Sequence, residues 1–232
     1  MICEGLQLRH YQQRAVDAVW NEWNRGVEST LCVACTGSGK AVVVSAIADR
    51  MPEGSRFMYI VHRDSLARQA AAQFRKWTNK SVQIELSEHG KGRTHSGNAD
   101  IVVAGVQSLR GRRGKYSRDE FEFVGTDESH RYAGNDWAEI VRYFNPMHRV
   151  GNTATPRRHD GVELIGDGCE FQTVAFQYPI DVAIEDGYIV PFRWRVERSQ
   201  DIDLDSITEL SSGDLSPSSV EREMRVMQVC LW

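Results

Sequence analysis

Two short stretches of this 232-residue sequence carry residue types at spacings that could do chemistry. The first is Ala34-Cys35-Thr36-Gly37-Ser38-Gly39-Lys40, set between an apolar, β-rich run (Thr30–Cys35) and a helical pattern (Lys40–Arg50). Glycines there let the chain curl so that backbone N–H groups converge on phosphate oxygens. The helix N-terminus adds favourable partial charge, and a lysine at this point reaches the outer phosphates of a nucleotide. The next position should offer a Ser or Thr hydroxyl to Mg²⁺, and the chain has Ala41 instead. Any Mg²⁺ must then be held by the nucleotide, by water and by a second acid. The second stretch is Asp127-Glu128-Ser129-His130, directly after a strand pattern over Phe121–Thr126. An acid at the end of a neighbouring strand is where Mg²⁺ beside phosphates would be held, and an adjacent carboxylate could orient an attacking water. Two acids after a strand usually make only a polar loop; a phosphate loop about 90 residues upstream gives them a purpose.

Both stretches need a scaffold that brings the ends of separate strands together. Apolar residues recur at helical spacing in Tyr11–Trp23 (Ala15, Val19, Trp23) and in Ser65–Trp77 (Leu66, Ala70, Phe74). Further strands are expected at Phe57–Val61, Val82–Leu86, Ile101–Ala104, Arg149–Asn152 and Thr173–Phe176, with helices near Trp137–Phe144 and at Ile180–Glu185. Such alternation predicts an α/β fold, three layers (α/β/α) around a mostly parallel sheet covered on both faces. Gly90–Asp100 and Gly111–Ser117, rich in Gly, Ser and basic residues, read as loops. From about Ser199 acids and serines dominate like a linker, ending in a short amphipathic tail at Val220–Trp232.

With 41% hydrophobic and 26% charged residues, the composition excludes global disorder, collagen and coiled coil. No apolar run approaches the roughly 18 residues of a membrane span. The N-terminus also lacks the layout of a secretory signal, so a soluble, cytoplasmic protein with no membrane partner is expected. The net charge of −4 hides an asymmetry: residues 61–118 hold twelve bases and four acids, residues 197–232 three bases and eight acids. A localised phosphate-binding face would produce this division, and so would a solvated surface. The C-x-x-C pair Cys32/Cys35 has no second pair at metal-ligand spacing and reads as two small apolar residues of a buried strand. Trp20, Trp23 and Trp77 fall on amphipathic helices and read as core rather than as base-stacking platforms.

Further segments stand in a telling order: Leu8-Arg9-His10-Tyr11-Gln12, Val61-His62-Arg63-Asp64-Ser65-Leu66, Val106-Gln107-Ser108-Leu109, Gly151-Asn152-Thr153-Ala154-Thr155-Pro156, and Tyr178-Pro179-Ile180 through Gly187-Tyr188-Ile189-Val190-Pro191. Together with the two stretches above, they make the chain similar to superfamily 2 helicases of the DEAD/DEAH-box group, near the helicase subunits of restriction enzymes. The resemblance runs from about Leu6 to Val190 and implies a RecA-like, P-loop NTPase fold that binds ATP with Mg²⁺. It implies that Arg9, Tyr11 and Gln12 belong to the adenine-recognition segment, with Gln12 on the adenine edge and Tyr11 near its face. Thr36, Gly37, Ser38, Gly39, Lys40 and Ala41 would surround the phosphates, Asp127 would hold Mg²⁺ and Glu128 would orient water. His130, Thr153 and Thr155 would couple the nucleotide state to the nucleic acid, which Arg63, Gln107 and Ser108 would grip by its backbone. DNA is the expected nucleic acid ahead of RNA, and the basic run Arg110 to Arg118 is expected to help.

Four residues depart from the family's pattern: Ala41, Asn152 where an apolar residue is usual, and Gly125-Thr126 in place of an apolar pair. The resemblance further implies that residues 1–195 are the first motor domain and 196–232 a linker and the start of a second RecA-like domain. That second domain, with its arginine finger, is expected on another stretch of polypeptide or another chain. The expected function is an ATP-dependent helicase or translocase motor domain. Its alternative is a weak or inactive nucleotide- and nucleic-acid-binding module that acts with a partner chain.

Overall fold

Every residue of strand β2 (Phe57–Val61) is buried, because Phe57, Tyr59 and Val61 point into one hydrophobic core while Met58 and Ile60 point into another. A strand buried on both faces belongs in the middle of a parallel sheet, and the computed structural model places it there. The structure describes residues 7–85, 98–130, 135–156, 163–166 and 169–191. Most of the expected loop Gly90–Asp100 and the acidic linker and tail from Ser199 onward lie outside the described residues.

The chain opens with α1 (His10–Asn24), then β1 (Ser29–Ala34), α2 (Lys40–Asp49), β2, α3 (Asp64–Trp77), β3 (Val82–Glu85), β4 (Ile101–Gly105) and α4 (Val106–Arg112). It continues through β5 (Phe123–Thr126), α5 (Asn135–Tyr143), β6 (His148–Thr153), β7 (Thr173–Tyr178) and α6 (Ile180–Glu185). The sheet order is β3-β4-β2-β5-β6-β1-β7, and all its pairings are parallel. The expected α/β sheet is therefore present, and wholly parallel rather than mostly so. One core lies between the sheet and α1, α2 and α3, around Val16, Val19, Ile47 and Phe74. The other lies under α4 and α5, around Leu31, Met58, Ile140 and Phe144.

Several expectations meet their physical reasons here. Trp23 is 4% exposed and stacks on His148, so it belongs to the core. Cys32 and Cys35 are buried free thiols, and burial pushes the Cys32 thiol up to about 12. A thiol held protonated in a strand is an inert apolar filler. At Gly125 a Cβ would come within 2.5 Å of Phe57 and 2.8 Å of Tyr59, whose rings lie across the strand, so the packing there leaves no room for a side chain.

One element differs from the sequence reading. The segment Gly111–Ser117 is not a loop: α4 runs through Gly111 to Arg112, and a 3-10 turn follows at Arg113–Lys115. Its polar groups find partners that composition could not reveal. Arg112 donates to Glu85 at 2.9 Å, and the buried Tyr116 hydroxyl donates to the other oxygen of the same carboxylate at 3.1 Å. Arg113 pairs with Glu139.

Candidate functional site

Strands of a parallel sheet all end on one side, and ligands of such sheets bind outside those carboxyl ends. Apart from Leu8–Gln12, which opens α1, each segment singled out in the sequence leaves the sheet at that edge. The phosphate loop follows β1, Arg63 follows β2, Val106-Gln107 follows β4, Asp127-Glu128 follows β5, Thr153–Thr155 closes β6, and Tyr178 closes β7. With β6 between β1 and β5, the loop and the acid turn stand two strand spacings apart, about 10 Å.

The phosphate loop is built from within and pinned from outside. Gly37 and Gly39 adopt φ of 86° and 80°, a left-handed backbone that costs glycine nothing. The Ser38 hydroxyl donates to the Cys35 carbonyl at 2.6 Å and closes the turn. The Ser38 carbonyl accepts from the Tyr11 hydroxyl at 2.7 Å and from Gln12 Nε2 at 3.2 Å, which ties the loop to α1. Gln12 Oε1 in turn accepts from the Arg9 backbone N–H at 3.0 Å. The Tyr11 ring stacks on Tyr178, with centroids 4.1 Å apart and planes at 8°. Tyr11 and Gln12 are thus buried against the loop, while Arg9 is exposed and lies over the Tyr188 ring at 4.9 Å. Lys40 bends back to donate to the Ala34 carbonyl at 3.2 Å.

The acid turn is built differently. Asp127 keeps its N–H on the Ile60 carbonyl at 3.0 Å, and then the chain turns sharply. Glu128 has φ of 48°, the one positive value at a non-glycine among the described residues. Burial raises the Asp127 carboxyl above its ordinary value, and the Glu128 charge beside it adds to the rise. A backbone hydrogen bond and Lys40 pull the other way. Ser129, wholly buried, bonds the Thr126 hydroxyl at 3.0 Å and donates to the Asn152 carbonyl at 3.2 Å. His130 Nδ1 lies 2.9 Å from the Thr153 hydroxyl and 3.3 Å from Glu128 Oε2. The Thr153 hydroxyl donates to the Thr155 carbonyl at 2.7 Å. His130, Glu128, Thr153 and Thr155 therefore form one connected chain across the ends of β5 and β6.

Loop and turn share a cavity of about 220 Å³ lined by Lys40, Ala41, Asp127 and Glu128, with Tyr59 and Phe74 farther in. Two carboxylates at its mouth are a hard-oxygen donor set of the kind Mg²⁺ accepts, since that ion keeps several waters and needs few protein ligands. Ala41 contributes no side-chain oxygen, which leaves Asp127 and Glu128 as the carboxylates of this cavity that could hold such an ion. Of the remaining expected residues, Arg63 and Gln107 are exposed at the same edge. Ser108 is 1% exposed, and its hydroxyl donates to Asp64 Oδ1 at 3.2 Å, which turns it inward. Sequence reasoning gave no role to Ser129, Asp64 or Tyr188. The partners of Ser129 and Asp64 are distant in sequence, so only the segment pattern pointed near them.

Residues 5–158 match the family described as type III restriction enzyme, res subunit. The chain belongs to that family. A mitochondrial ATP-dependent helicase of Schizosaccharomyces pombe, described as irc3, is 29% identical over 198 residues, covering 80% of this chain and 32% of that protein. The type I restriction enzyme EcoAI endonuclease subunit of Escherichia coli is 26% identical over 202 residues, covering 82% of this chain and 24% of the subunit. In three dimensions the res-type chain is similar to the type ISP restriction-modification enzyme LlaGI, solved with a DNA substrate mimic. The TM-score is 0.62 at 18% identity, over 79% of this chain and 21% of that one. The res-type chain thus spans about a third or less of the length of these relatives. It is a helicase-like domain, related to ATP-dependent helicases and to restriction enzymes. Among the described residues no helix is long and apolar enough to cross a membrane.

Proposed function

We propose that this domain binds ATP at the carboxyl edge of its sheet and acts as the first RecA-like half of a DNA helicase or translocase motor. The observation that carries the reading is the shared cavity, where Lys40 and the acid pair Asp127–Glu128 meet beside a glycine-built loop. In this reading Lys40 leaves the Ala34 carbonyl for the outer phosphates, while the N–H groups of Gly37 to Lys40 cradle the inner ones. Arg9, Tyr11 and Gln12 stand on the adenine side. Mg²⁺, when bound, neutralises phosphate charge, and Asp127 is its protein ligand. Glu128 orients the attacking water and is itself oriented by His130. Thr153 and Thr155 carry the nucleotide state along β6, and Arg63 and Gln107 lie toward the nucleic-acid backbone, while the inward-turned Ser108 holds Asp64 instead. DNA is favoured as the strand, in keeping with the DNA-bound neighbour.

Efficient turnover in such motors draws on arginines of a second RecA-like domain, worth on the order of 10³–10⁵ in rate. That domain is a partner in this proposal, whichever polypeptide carries it. Ala41 favours a second reading, a module that binds nucleotide and DNA with little turnover. The test is steady-state ATP hydrolysis with Mg²⁺, with and without single- and double-stranded DNA, against Lys40→Ala. DNA-stimulated turnover above that control supports the motor half. Nucleotide binding without turnover, rescued by Ala41→Thr, supports a weakened enzyme, and the same result without rescue supports the binder.

A further inference from the structure

The departure at Asn152 leaves an unusual mark. Asn152 pairs with Cys32 across β6 and β1, and its side chain enters the core on the α1/α2 side, as Val150 does two residues earlier. It is 1% exposed, and neither its Oδ1 nor its Nδ2 has a hydrogen-bond partner. A buried carboxamide left unpaired is costly, and a leucine would fill the same place without that cost. Beside it is a small cavity of about 10 Å³ under the phosphate loop, lined by Asn152, Tyr11, Ala34, Ser38, Lys40 and apolar side chains. That is the room one water needs. Among these neighbours the Ser38 and Tyr11 hydroxyls are already committed. The Lys40 ammonium has three donors and gives one to Ala34.

We propose that Asn152 is a positioning residue that retains Lys40 in its resting place. One buried water accepts from Lys40 Nζ and donates to Asn152 Oδ1, so an incoming phosphate must draw the lysine off Asn152 as well as off the Ala34 carbonyl. A hydrogen bond from an ammonium is stronger than one between neutral groups, so the hold favours the nucleotide-free state. An apolar residue at 152 could not hold the lysine at all, and a carboxylate would hold it too well. The nucleotide part of this inference rests on the function proposed above.

The experiment uses the full chain and titrates a fluorescent ADP derivative with Mg²⁺. Asn152→Leu is expected to bind roughly three- to tenfold more tightly, the scale of one lost competing hydrogen bond. Asn152→Asp is expected to bind more weakly, and Asn152→Leu is expected to have no effect on affinity in a Lys40→Met background. A purely structural asparagine would change thermal stability and leave the affinity alone, which overturns the proposal. Nuclear magnetic resonance of the Asn152 side-chain amide in nucleotide-free protein supplies a second readout that needs no fragile variant at 152. Its two amide signals are expected to move in Lys40→Met, and signals that stay in place also overturn the proposal. Should the wild type bind no nucleotide, the proposed function fails by itself, and the amide signals still decide whether Asn152 holds Lys40.

Discussion

The loop after β1 and the turn after β5 face one cavity, yet they differ in what keeps them in shape. The loop takes its left-handed residues from Gly37 and Gly39, at φ of 86° and 80°, and is fastened to α1 through Tyr11 and Gln12. Its shape therefore costs the fold little. The turn places a non-glycine, Glu128, at φ of 48° and half-buries two neighbouring carboxylates. Left-handed backbone at a non-glycine residue and crowded buried charge both oppose folding. The surroundings hold the turn through Ser129, which ties it to β6, and through the chain from His130 to Thr153. One side of the cavity is relaxed and the other is held under load, which is the usual cost of a site built to act on something.

Two substitutions of large effect separate the sides. Glu128→Gln keeps the size of the side chain and removes its charge. On the proposed reading hydrolysis falls by roughly 10²–10⁴, while nucleotide affinity stays within a few-fold of wild type. Equal loss of binding and turnover in a nucleotide titration would place Glu128 in binding and break the contrast. On the loop, Gly39→Ala meets two obstacles: a left-handed backbone and a new Cβ 2.6 Å from Gln12 Nε2. The expected outcome is a loss of about 2 kcal/mol in urea unfolding, from the cost of left-handed alanine plus displacement of Gln12.

How these regions could be read from the sequence differs in the same way. The loop was legible because its chemistry is local: glycines, a lysine, a strand before and a helix after. β2 was legible because five consecutive apolar residues fit a strand buried on both faces. The segment Gly111–Ser117 was misread as a loop because the partners of Arg112 and Arg113, Glu85 and Glu139, lie 27 and 26 residues away in sequence. Composition records that bases are present and not what answers them. For the same reason Ser129 looked like an indifferent position, and Asn152 was visible only as a departure from a family pattern. The strain at Glu128 has no sequence signal, because nothing about a glutamate announces a positive φ.

The acid turn also predicts a pH dependence. Asp127 has its carboxyl raised above the ordinary 3.8 by burial and by Glu128. Below that ordinary value both folded and unfolded chains carry it protonated, and it costs nothing. As pH rises, the unfolded chain ionises first, so stability falls until the raised native value is passed and then levels off. Asp127→Asn has no such window. The variant should match the wild type in melting temperature near pH 3 and exceed it at neutral pH, with hydrolysis lost. A variant less stable than wild type at neutral pH would mean that the turn is not under load at Asp127.

The smallest expected effect tests the fastening of the loop. Tyr11→Phe removes the bond to the Ser38 carbonyl and keeps the ring against Tyr178. The carbonyl is not orphaned, since Gln12 Nε2 still reaches it at 3.2 Å. The loss should therefore be near the low end for a buried hydrogen bond, about 0.5–1 kcal/mol. Gln12→Ala removes that second bond and also the acceptor for the Arg9 N–H, and so it should cost more than Tyr11→Phe in the same urea series. The double variant leaves Ser38 with neither partner, and its loss should exceed the sum of the single losses. A strictly additive pair would mean that each bond holds α1 rather than the loop, and the relaxed side of the cavity would then owe its shape to its glycines alone.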